Sequence, residues 1–307
     1  MERALYVLLA LLLNAVAFDA RGPYGWLKLD RVARIPAKLI RGIERRLNRR
    51  QRDAATRKRR GVLLLVSVLM AAWGLAALLA FAGHAGEFIA LTLLLPVRPV
   101  WDKARAIKRA LAAEETAKAR LMLRGSVWRH YALLDAPALA RAAIEILAVG
   151  FAEKILAPCF WYLLLGLPGL FLAKAIYLLE EQLCQPEPAD NAFGAWARTL
   201  HYGVAYLPSR IASLLWLTAM MFLQGCRPIV ALRQIASGIV TRTPEAVDVA
   251  AAASALNLSL GGPTSVYTRG KWLGSGSAKA LPDDIGRAMY LYVLVHGLLV
   301  LGVGLLV

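Results

Sequence analysis

The sequence has few cysteines and few histidines, and both are too dispersed to form a framework. Its 307 residues include three cysteines, Cys159, Cys184 and Cys226, with no Cys-x-x-Cys pair. The four histidines are equally scattered along the chain. An odd set of isolated cysteines argues against structural disulfides and against a zinc site. We therefore expect neither a disulfide scaffold nor a metal site built from these residues.

Charge is also scarce. Charged residues make up 19% of the chain and hydrophobic residues 59%, and the mean hydropathy is +0.53. A soluble domain of this length has more charge and shorter apolar runs. The composition predicts an all-α, polytopic integral membrane protein with about five or six transmembrane helices. We expect a single membrane domain over residues 1–307, with no internal repeat.

Acidic residues are the scarcer charge, and the formal net charge is +17. Residues 21–60 hold fifteen Lys and Arg against three Asp and Glu. Basic loops between apolar spans face the cytoplasm in most membrane proteins. No nucleic-acid motif accompanies the charge, so we expect anionic lipid, and no nucleic acid, as the partner of this block.

Apolar runs mark the predicted spans. Residues 61–83 form the clearest of them. The short run at 3–18 is interpreted as an uncleaved first helix, with a signal peptide as the alternative. Residues 87–97 are short, and we expect a thin or tilted crossing there. The other predicted spans lie at 155–180, 204–226 and 288–307.

Two polar, helical segments are expected on the cytoplasmic side, at about 21–60 and 98–145. In the first, apolar residues recur at helical spacing among Arg and Lys, a pattern typical of a basic amphipathic helix at a membrane surface; they are Val32, Ile35, Leu39, Ile40, Ile43 and Leu47. A charged linker is expected at 48–60. In the second segment, the pattern predicts one long polar helix from Arg98 to Arg129.

The stretch at 139–183 combines apolar runs with charged residues. It is interrupted by Gly166-Leu167-Pro168-Gly169, which predicts either one kinked helix or two half-helices. Glu145, Glu153, Lys154 and Lys174 lie in or beside it. Charged side chains inside a membrane protein are costly and commonly functional. The structural alternatives are an internal Glu153-Lys154 ion pair and a Lys174 side chain that extends to the interface.

Several separated motifs, taken in order, form a recognisable pattern. The most specific combination is Tyr206-Leu207-Pro208-Ser209-Arg210, then Leu260-Gly261-Gly262-Pro263, then Lys271-Trp272-Leu273-Gly274. Ile155-Leu156-Ala157-Pro158, Lys174-Ala175 and Asp283-Asp284-Ile285 belong to the pattern as well. Together these motifs resemble the CobD/CbiB family of cobalamin biosynthesis, and the similarity extends over about residues 3–300.

This resemblance implies a multi-pass ligase of the bacterial inner membrane. Such a ligase joins an aminopropanol or its phosphate to adenosylcobyric acid through an amide bond. The resemblance also implies ATP and Mg²⁺ as cofactors. The implied partners are the corrinoid and aminopropanol substrates, membrane lipid and other proteins of the cobalamin pathway.

The resemblance also suggests site residues. Lys174, Glu153 and Glu180 are the catalytic candidates, and the substrate-binding candidates are Asp19, Arg120, Arg129, Arg210, Gly261, Gly262, Asp283 and Asp284. Each has a structural alternative: a solvated helix face for Arg120 and Arg129, a turn for the glycines, and a helix cap for the two aspartates.

The chain departs from the family pattern at several polar positions. His201-Tyr202 replaces an Asp-Asp pair, and Val249 stands where the family has a glutamate. These departures leave a second reading open, a catalytically degenerate membrane scaffold or regulator that resembles AmpE. The Gly/Pro-broken helix also leaves open a small-solute transporter.

Overall fold

The computed structural model describes residues 2–16, 29–49, 51–123, 131–184, 192–222, 243–268 and 270–307. The chain forms two compact units, each assembled from separate segments. Unit 1 comprises residues 1–95, 157–204 and 307, and unit 2 comprises residues 96–156 and 205–306. The prediction of a single domain stays a prediction.

Unit 1 is helical in its described part. Its helices are α1 (Glu2–Val16), α2 (Leu29–Leu47), α3 (Ala54–Ala80), α4 (Gly83–Leu94), α8 (Ala157–Leu165), α9 (Leu167–Leu183) and the first part of α10 (Ala195–Met220). Helix α3 packs against α9, and α1 packs against α4. A core forms between α2, α3, α9 and the start of α10, from Ile40, Leu64, Leu65, Leu179, Leu183, Phe193 and Ala197.

Helix α3 begins earlier than the sequence pattern predicted. Residues 54–60, expected in a charged linker, are its first two turns. The Asp53 carboxylate accepts the Thr56 N–H and so caps the helix start. The basic residues that follow are good helix formers and continue the helix. Further along, a Cβ at Gly61 would lie 2.0 Å from the Phe193 carbonyl oxygen, so this close approach requires glycine.

In the part of the chain that the structure describes, two helices are long and apolar enough to cross a membrane, Ala54–Ala80 and Pro282–Gly304. Helix α3 leaves large apolar side chains exposed, a surface that suits lipid better than water; they include Leu63, Met70, Trp73 and Leu78. Helix α4 has only 12 residues, about 18 Å of rise against a hydrocarbon core of about 30 Å. The all-α class is confirmed among the described residues, whereas five or six spans stay a prediction.

The predicted break in the 155–180 stretch is present. Helix α8 ends at Leu165, Gly166 has φ +70° and ψ −152°, and α9 begins at Leu167. This backbone conformation is nearly restricted to glycine. Pro168 follows at the start of α9, where its missing N–H costs no hydrogen bond. The stretch is therefore two separate helices.

Helix α2 divides its apolar residues between two faces. Ile40 and Ala37 are buried, and Ile40 belongs to the unit 1 core. Ile35, Leu39 and Ile43 are exposed, each four residues from the next. The sequence pattern placed Ile40 and these three residues on a single apolar face. In the structure the neighbouring helices cover the side of α2 that carries Ile40 and leave the other three residues exposed.

Unit 2 is built around one buried helix. Its elements are α5 (Val97–Ala112), α6 (Thr116–Met122), a 3₁₀ turn (Tyr131–Leu133), α7 (Ala136–Phe151), a π-helical segment (Ala152–Leu156), the second part of α10, α11 (Pro244–Leu256), β1 (Leu260–Gly261), β2 (Trp272–Leu273) and α12 (Pro282–Gly304). Residues 138–151 of α7 are all buried. Helices α5, α11 and α12 pack around α7.

Two predictions for the 98–145 segment need correction. The single helix expected from Arg98 to Arg129 breaks after Ala112, where Glu114 takes a left-handed conformation with φ +58°. In addition, residues 136–145 belong to the buried helix α7 and not to a polar surface segment. The Asp135 carboxylate caps α7 by accepting the Ala138 N–H.

The strained position at Gly166 gives a first testable prediction. Gly166→Ala places a Cβ in a conformation that only glycine adopts readily, so we expect a loss of about 1–3 kcal/mol. Gly74→Ala, in the middle of α3 with open space around a Cβ, is the control and should be neutral or stabilising by up to about 1 kcal/mol. Unfolding in mixed detergent micelles measures both. Equal stability of the two variants would contradict the assignment.

Candidate functional site

The Gly-Gly motif lies in a small hairpin of unit 2. Strands β1 and β2 pair antiparallel, with Leu260 opposite Leu273 and Gly261 opposite Trp272. Gly261 and Gly262 both have positive φ, +87° and +75°. A Cβ on Gly262 would lie 2.5 Å from the Trp272 ring. The two glycines therefore permit both the turn and the close contact with the indole.

Two charged side chains of α7 hold this hairpin in place. Glu145 accepts a hydrogen bond from the Gly261 N–H at 2.9 Å and one from the Ser265 hydroxyl at 2.7 Å. Arg141, one helical turn earlier, donates to the Ala278 carbonyl and lies over the Trp272 ring at 5.2 Å. Residues four apart on a helix share a face. We call Arg141 and Glu145 the latch pair.

The carboxyl group of Glu145 is buried and lies outside the two candidate spans. Burial raises its pKa from the ordinary value of 4.5 to about 7, while the hydrogen bonds from Ser265 and Gly261 and the charge of Arg141 act in the opposite direction. Glu145 therefore titrates near neutral pH while it holds the loop.

A second polar group in unit 2 consists of three acidic side chains, Glu153, Glu245 and Asp248, which we call the carboxylate cluster. Carboxylate oxygens of Glu153 and Glu245 lie within 4.8 Å of each other. Their side chains are 8% exposed, and Asp248 is fully buried. Burial raises the pKa of Asp248 well above its usual range, and the charges of Glu153 and Glu245 add to the rise.

Asp248 contacts the Tyr206–Arg210 motif. The Ser209 hydroxyl oxygen lies 2.9 Å from Asp248 Oδ1 and 2.7 Å from the Pro244 carbonyl oxygen. Arg210 lies close enough for its charge to favour ionised Asp248. Its guanidinium donates to the Tyr206 carbonyl and lies 3.6 Å from the centre of the Tyr206 ring. This motif thus supplies a hydroxyl and a positive charge to the carboxylate cluster.

The predicted catalytic residues fall in both units. Glu153 lies in unit 2, in the π-helical segment, a distortion that is frequent at functional sites. Lys174 and Glu180 lie on α9 in unit 1, both half-buried. Lys174 lies close enough to the buried thiol of Cys159 for an electrostatic interaction between them.

Several predicted substrate-binding residues have structural partners. Arg120 Nε donates to the Leu134 carbonyl at 2.8 Å. The Gly261 N–H is engaged by Glu145, and the Gly262 N–H donates to the Lys271 carbonyl. Arg120 therefore fixes a turn, and these two N–H groups hold the hairpin rather than point to a ligand.

The two aspartates lie in the first turn of α12, where the structural alternative predicted a helix cap. Asp284 accepts the Leu281 N–H at 2.9 Å and pairs with Arg287 at 3.3 Å. Asp283 is exposed in the first turn of the helix. The remaining two candidates, Asp19 and Arg129, lie outside the described residues.

Sequence reasoning missed the acids of α11. Glu245 and Asp248 are three residues apart in a helix of small apolar residues, PEAVDVAAAASAL. The comparison with the family pattern pointed to Val249, one position beyond Asp248. The available signal was the pair itself, because two carboxylates on an otherwise apolar helix need a partner or a function. Ser265 and Arg141 gave no comparable signal.

Comparison with known proteins identifies the family of this chain. The family model described as CobD/Cbib protein matches residues 7–292. Cobalamin biosynthesis protein CobD of Brucella anthropi is 33% identical over 95% of this chain and 93% of its own length. The protein of the same name from Brucella suis is 31% identical over 95% of this chain and 93% of its own length. The one from Rhodobacter capsulatus is 30% identical over 83% of this chain and 82% of its own length. No solved structure matches.

The buried latch gives a second prediction. The Glu145 carboxyl group has a pKa of about 7 in the folded protein and ionises near pH 4.5 in the unfolded chain. The free energy of unfolding of wild type should therefore fall as the pH rises from about 4.5 to about 7 and then level off. Glu145→Gln removes this component of the pH dependence. Glu145→Ala removes it as well and leaves the Gly261 N–H without its acceptor, so at the low end of this pH range, where wild type is most stable, it should cost about 2 kcal/mol.

Unfolding midpoints in detergent across this pH range measure both effects. The difference between wild type and Glu145→Gln isolates the contribution of this carboxyl group from other titrating groups. If that difference does not vary with pH, the assignment is wrong.

Proposed function

The chain belongs to the CobD/CbiB family, and we propose that it acts in cobalamin biosynthesis as an ATP-dependent membrane ligase. The proposed reaction joins aminopropanol or its phosphate to adenosylcobyric acid. The amine nitrogen forms a C–N bond with a propionate carbonyl carbon of the corrinoid. One carboxylate oxygen leaves with a phosphoryl group derived from ATP, because a carboxylate alone is a poor acceptor for an amine.

The observation that carries this proposal is the buried polar interior of unit 2. A membrane scaffold needs no fully buried acid such as Asp248 beside two further carboxylates. Burying carboxyl groups costs free energy of folding. Such groups are found mainly at functional sites, so their presence in unit 2 supports a functional role. The match to the family model over residues 7–292 adds support from sequence.

The chemistry suggests separate tasks for the polar residues. An acidic group can orient the incoming ammonium and accept its proton, a role we propose for Glu153. Lys174 carries a positive charge suited to a corrinoid carboxylate or a phosphate. Glu180, six residues further along α9, is proposed to act with Lys174. The latch pair orders the loop at Gly261 and Ser265, and we propose it as a positioning element of unit 2.

We also propose a location in the bacterial inner membrane with several crossings. The two long apolar helices and the family membership support membrane association. The basic block at 21–60 would then lie on the cytoplasmic side, where ATP is available. The exposed stripe of α2, formed by Ile35, Leu39 and Ile43, is flanked by exposed Lys38 and Arg45 and suits an anionic lipid surface.

The second candidate is a non-catalytic scaffold of the same fold. Departures at His201-Tyr202 and Val249 favour it, since the family pattern has acids there. The engagement of both loop glycine N–H groups within the protein also suits a structural role. The two candidates differ in whether the chain can replace a working ligase.

Complementation tests this choice. The chain is expressed in a bacterium that lacks its own aminopropanol-attaching enzyme and is supplied with cobyric acid. Wild type should restore cobalamin-dependent growth. Lys174→Met keeps most of the length of the side chain and removes its charge, so growth should be lost while the protein remains in the membrane.

Lys118→Ala is the matched control, because Lys118 is an exposed lysine that pairs with Glu115, three residues earlier. It should support growth like wild type. Absence of growth with wild type, when the protein is confirmed in the membrane fraction, would favour the scaffold. Growth with Lys174→Met would remove Lys174 from the proposed mechanism.

A further inference from the structure

Helix α5 carries a basic face that the proposed reaction does not use. Arg98, Trp101, Arg105 and Lys108 follow one another at intervals of three or four residues, so they share one side of the helix. We call these four residues the α5 stripe. All four are half-buried, and the opposite side of the helix is apolar and packs against α7 and α12. The stripe lies wholly within unit 2 and outside the two candidate spans.

An indole ring orders two of the three cations. The guanidinium carbon of Arg98 lies 4.8 Å from the centre of the Trp101 ring, and that of Arg105 lies 4.9 Å from it. A guanidinium that stacks on an aromatic ring keeps the N–H groups at its edge available for an oxyanion. Because stacking already restricts the side chain, less conformational entropy is lost when a ligand binds. Trp101 therefore preorganises two arginine side chains on one side of α5.

The positive charge of the stripe is not balanced within the part of the chain that the structure describes. Asp102 is the one acidic residue of α5, and its carboxylate lies 3.5 Å from Arg98 Nε. Arg105 and Lys108 form no ion pair and no side-chain hydrogen bond with any described residue. Half-buried cations without a counter-ion cost free energy, and an anionic ligand would offset that cost.

The acids at the start of α12 do not supply this counter-ion. The Lys108 ammonium lies against the α12 backbone at Gly286. Asp284, two residues earlier, pairs with Arg287 at 3.3 Å. Asp283 is exposed to solvent.

The Trp101 indole is an independent sign of a ligand. Its Nε1–H is buried and has no hydrogen-bond partner among the described residues. Buried N–H groups are nearly always paired with protein or ordered water, and an indole N–H can only donate. The polar groups of the stripe are thus all donors: two guanidinium groups, an ammonium and the indole N–H. A ligand with negative charge and several oxygen acceptors fits this set.

A phosphate group fits the stripe better than a carboxylate does. The planar oxygens of a carboxylate match a single guanidinium edge. The oxygens of a phosphate are arranged tetrahedrally, so two guanidinium groups can donate to it from different directions. Arginine is the residue that proteins most often use where a phosphate is held bidentately.

We propose that Arg98, Trp101 and Arg105 bind a phosphate group, with the Lys108 ammonium beside it. The head group of an anionic phospholipid and a soluble phosphate compound share this chemistry. Arg98 follows the end of the apolar helix α4 by four residues, within reach of a membrane surface. Phosphate binding here does not depend on the proposed ligase reaction, and its test needs no corrinoid, amine or nucleotide.

The test uses the full-length chain labelled with 5-fluorotryptophan, because fluorine NMR observes each of the eight indoles separately. Trp101→Phe identifies the Trp101 resonance by its disappearance. One titration adds inorganic pyrophosphate at constant ionic strength in dodecyl maltoside, a detergent without phosphate. The other replaces phosphatidylcholine with phosphatidylglycerol in nanodiscs. The Trp101 resonance should shift saturably in at least one of them.

Arg105→Gln removes one charged donor and should raise the concentration needed for half of the shift by about 10-fold or more. Arg109→Gln is the matched control, because Arg109 is an exposed arginine one turn further along α5. Solvent screens exposed charges, so this variant should change that concentration by less than about 2-fold. If Arg105→Gln does not fold, Arg105→Lys takes its place and should weaken binding by a smaller factor, since lysine keeps the charge but not the bidentate edge.

The two titrations distinguish the sources of the phosphate group. A shift with pyrophosphate in detergent supports a soluble phosphate compound, and a shift only with phosphatidylglycerol supports a lipid head group. Folded protein whose Trp101 resonance shifts in neither titration would overturn the proposal. Equal weakening by Arg105→Gln and Arg109→Gln would also overturn it, because the effect would then be one of general surface charge.

Discussion

The hydrogen bonds from the Gly261 N–H and the Ser265 hydroxyl to Glu145 hold together segments that are 116 and 120 residues apart. Arg141, on the same face of α7, adds a contact to the Ala278 carbonyl and the Trp272 ring. The ladder of the hairpin joins only its two strands to each other, so these contacts are what connects it to α7 through polar groups. The position of the conspicuous glycine motif thus depends on a helix whose length is almost wholly buried.

The same helix continues into the π-helical segment that carries Glu153. Eight residues separate Glu145 from Glu153, about 12 Å along a helix axis. One continuous element therefore carries both the latch and a member of the carboxylate cluster. A rigid helix that bears several polar groups positions them more accurately than loops do. The latch pair and Glu153 therefore lie on one buried element rather than among scattered surface charges.

Much of the helical architecture could be predicted from the sequence, because apolar runs and Gly-Pro breaks act locally. The break at Gly166 and the capping role of Asp284 are examples. The break at Glu114 could not be predicted, since no glycine or proline marks it. The two faces of α2 could not be separated either, because periodicity does not show which neighbour covers a helix. The hydrogen bond between the Ser209 hydroxyl and Asp248 could not be predicted, because the two residues are 39 positions apart and no local pattern reveals such a contact.

We propose that this chain forms an amide bond and consumes ATP in doing so. Mass spectrometry of the reaction products tests this with the purified chain in lipid vesicles, supplied with adenosylcobyric acid, aminopropanol phosphate, Mg²⁺ and ATP. We predict a corrinoid product that carries one new amide, formed only when all components are present, with ATP consumed in proportion. Folded protein that forms no such product, or that consumes ATP whether or not the amine is present, would show that the chain is not this ligase.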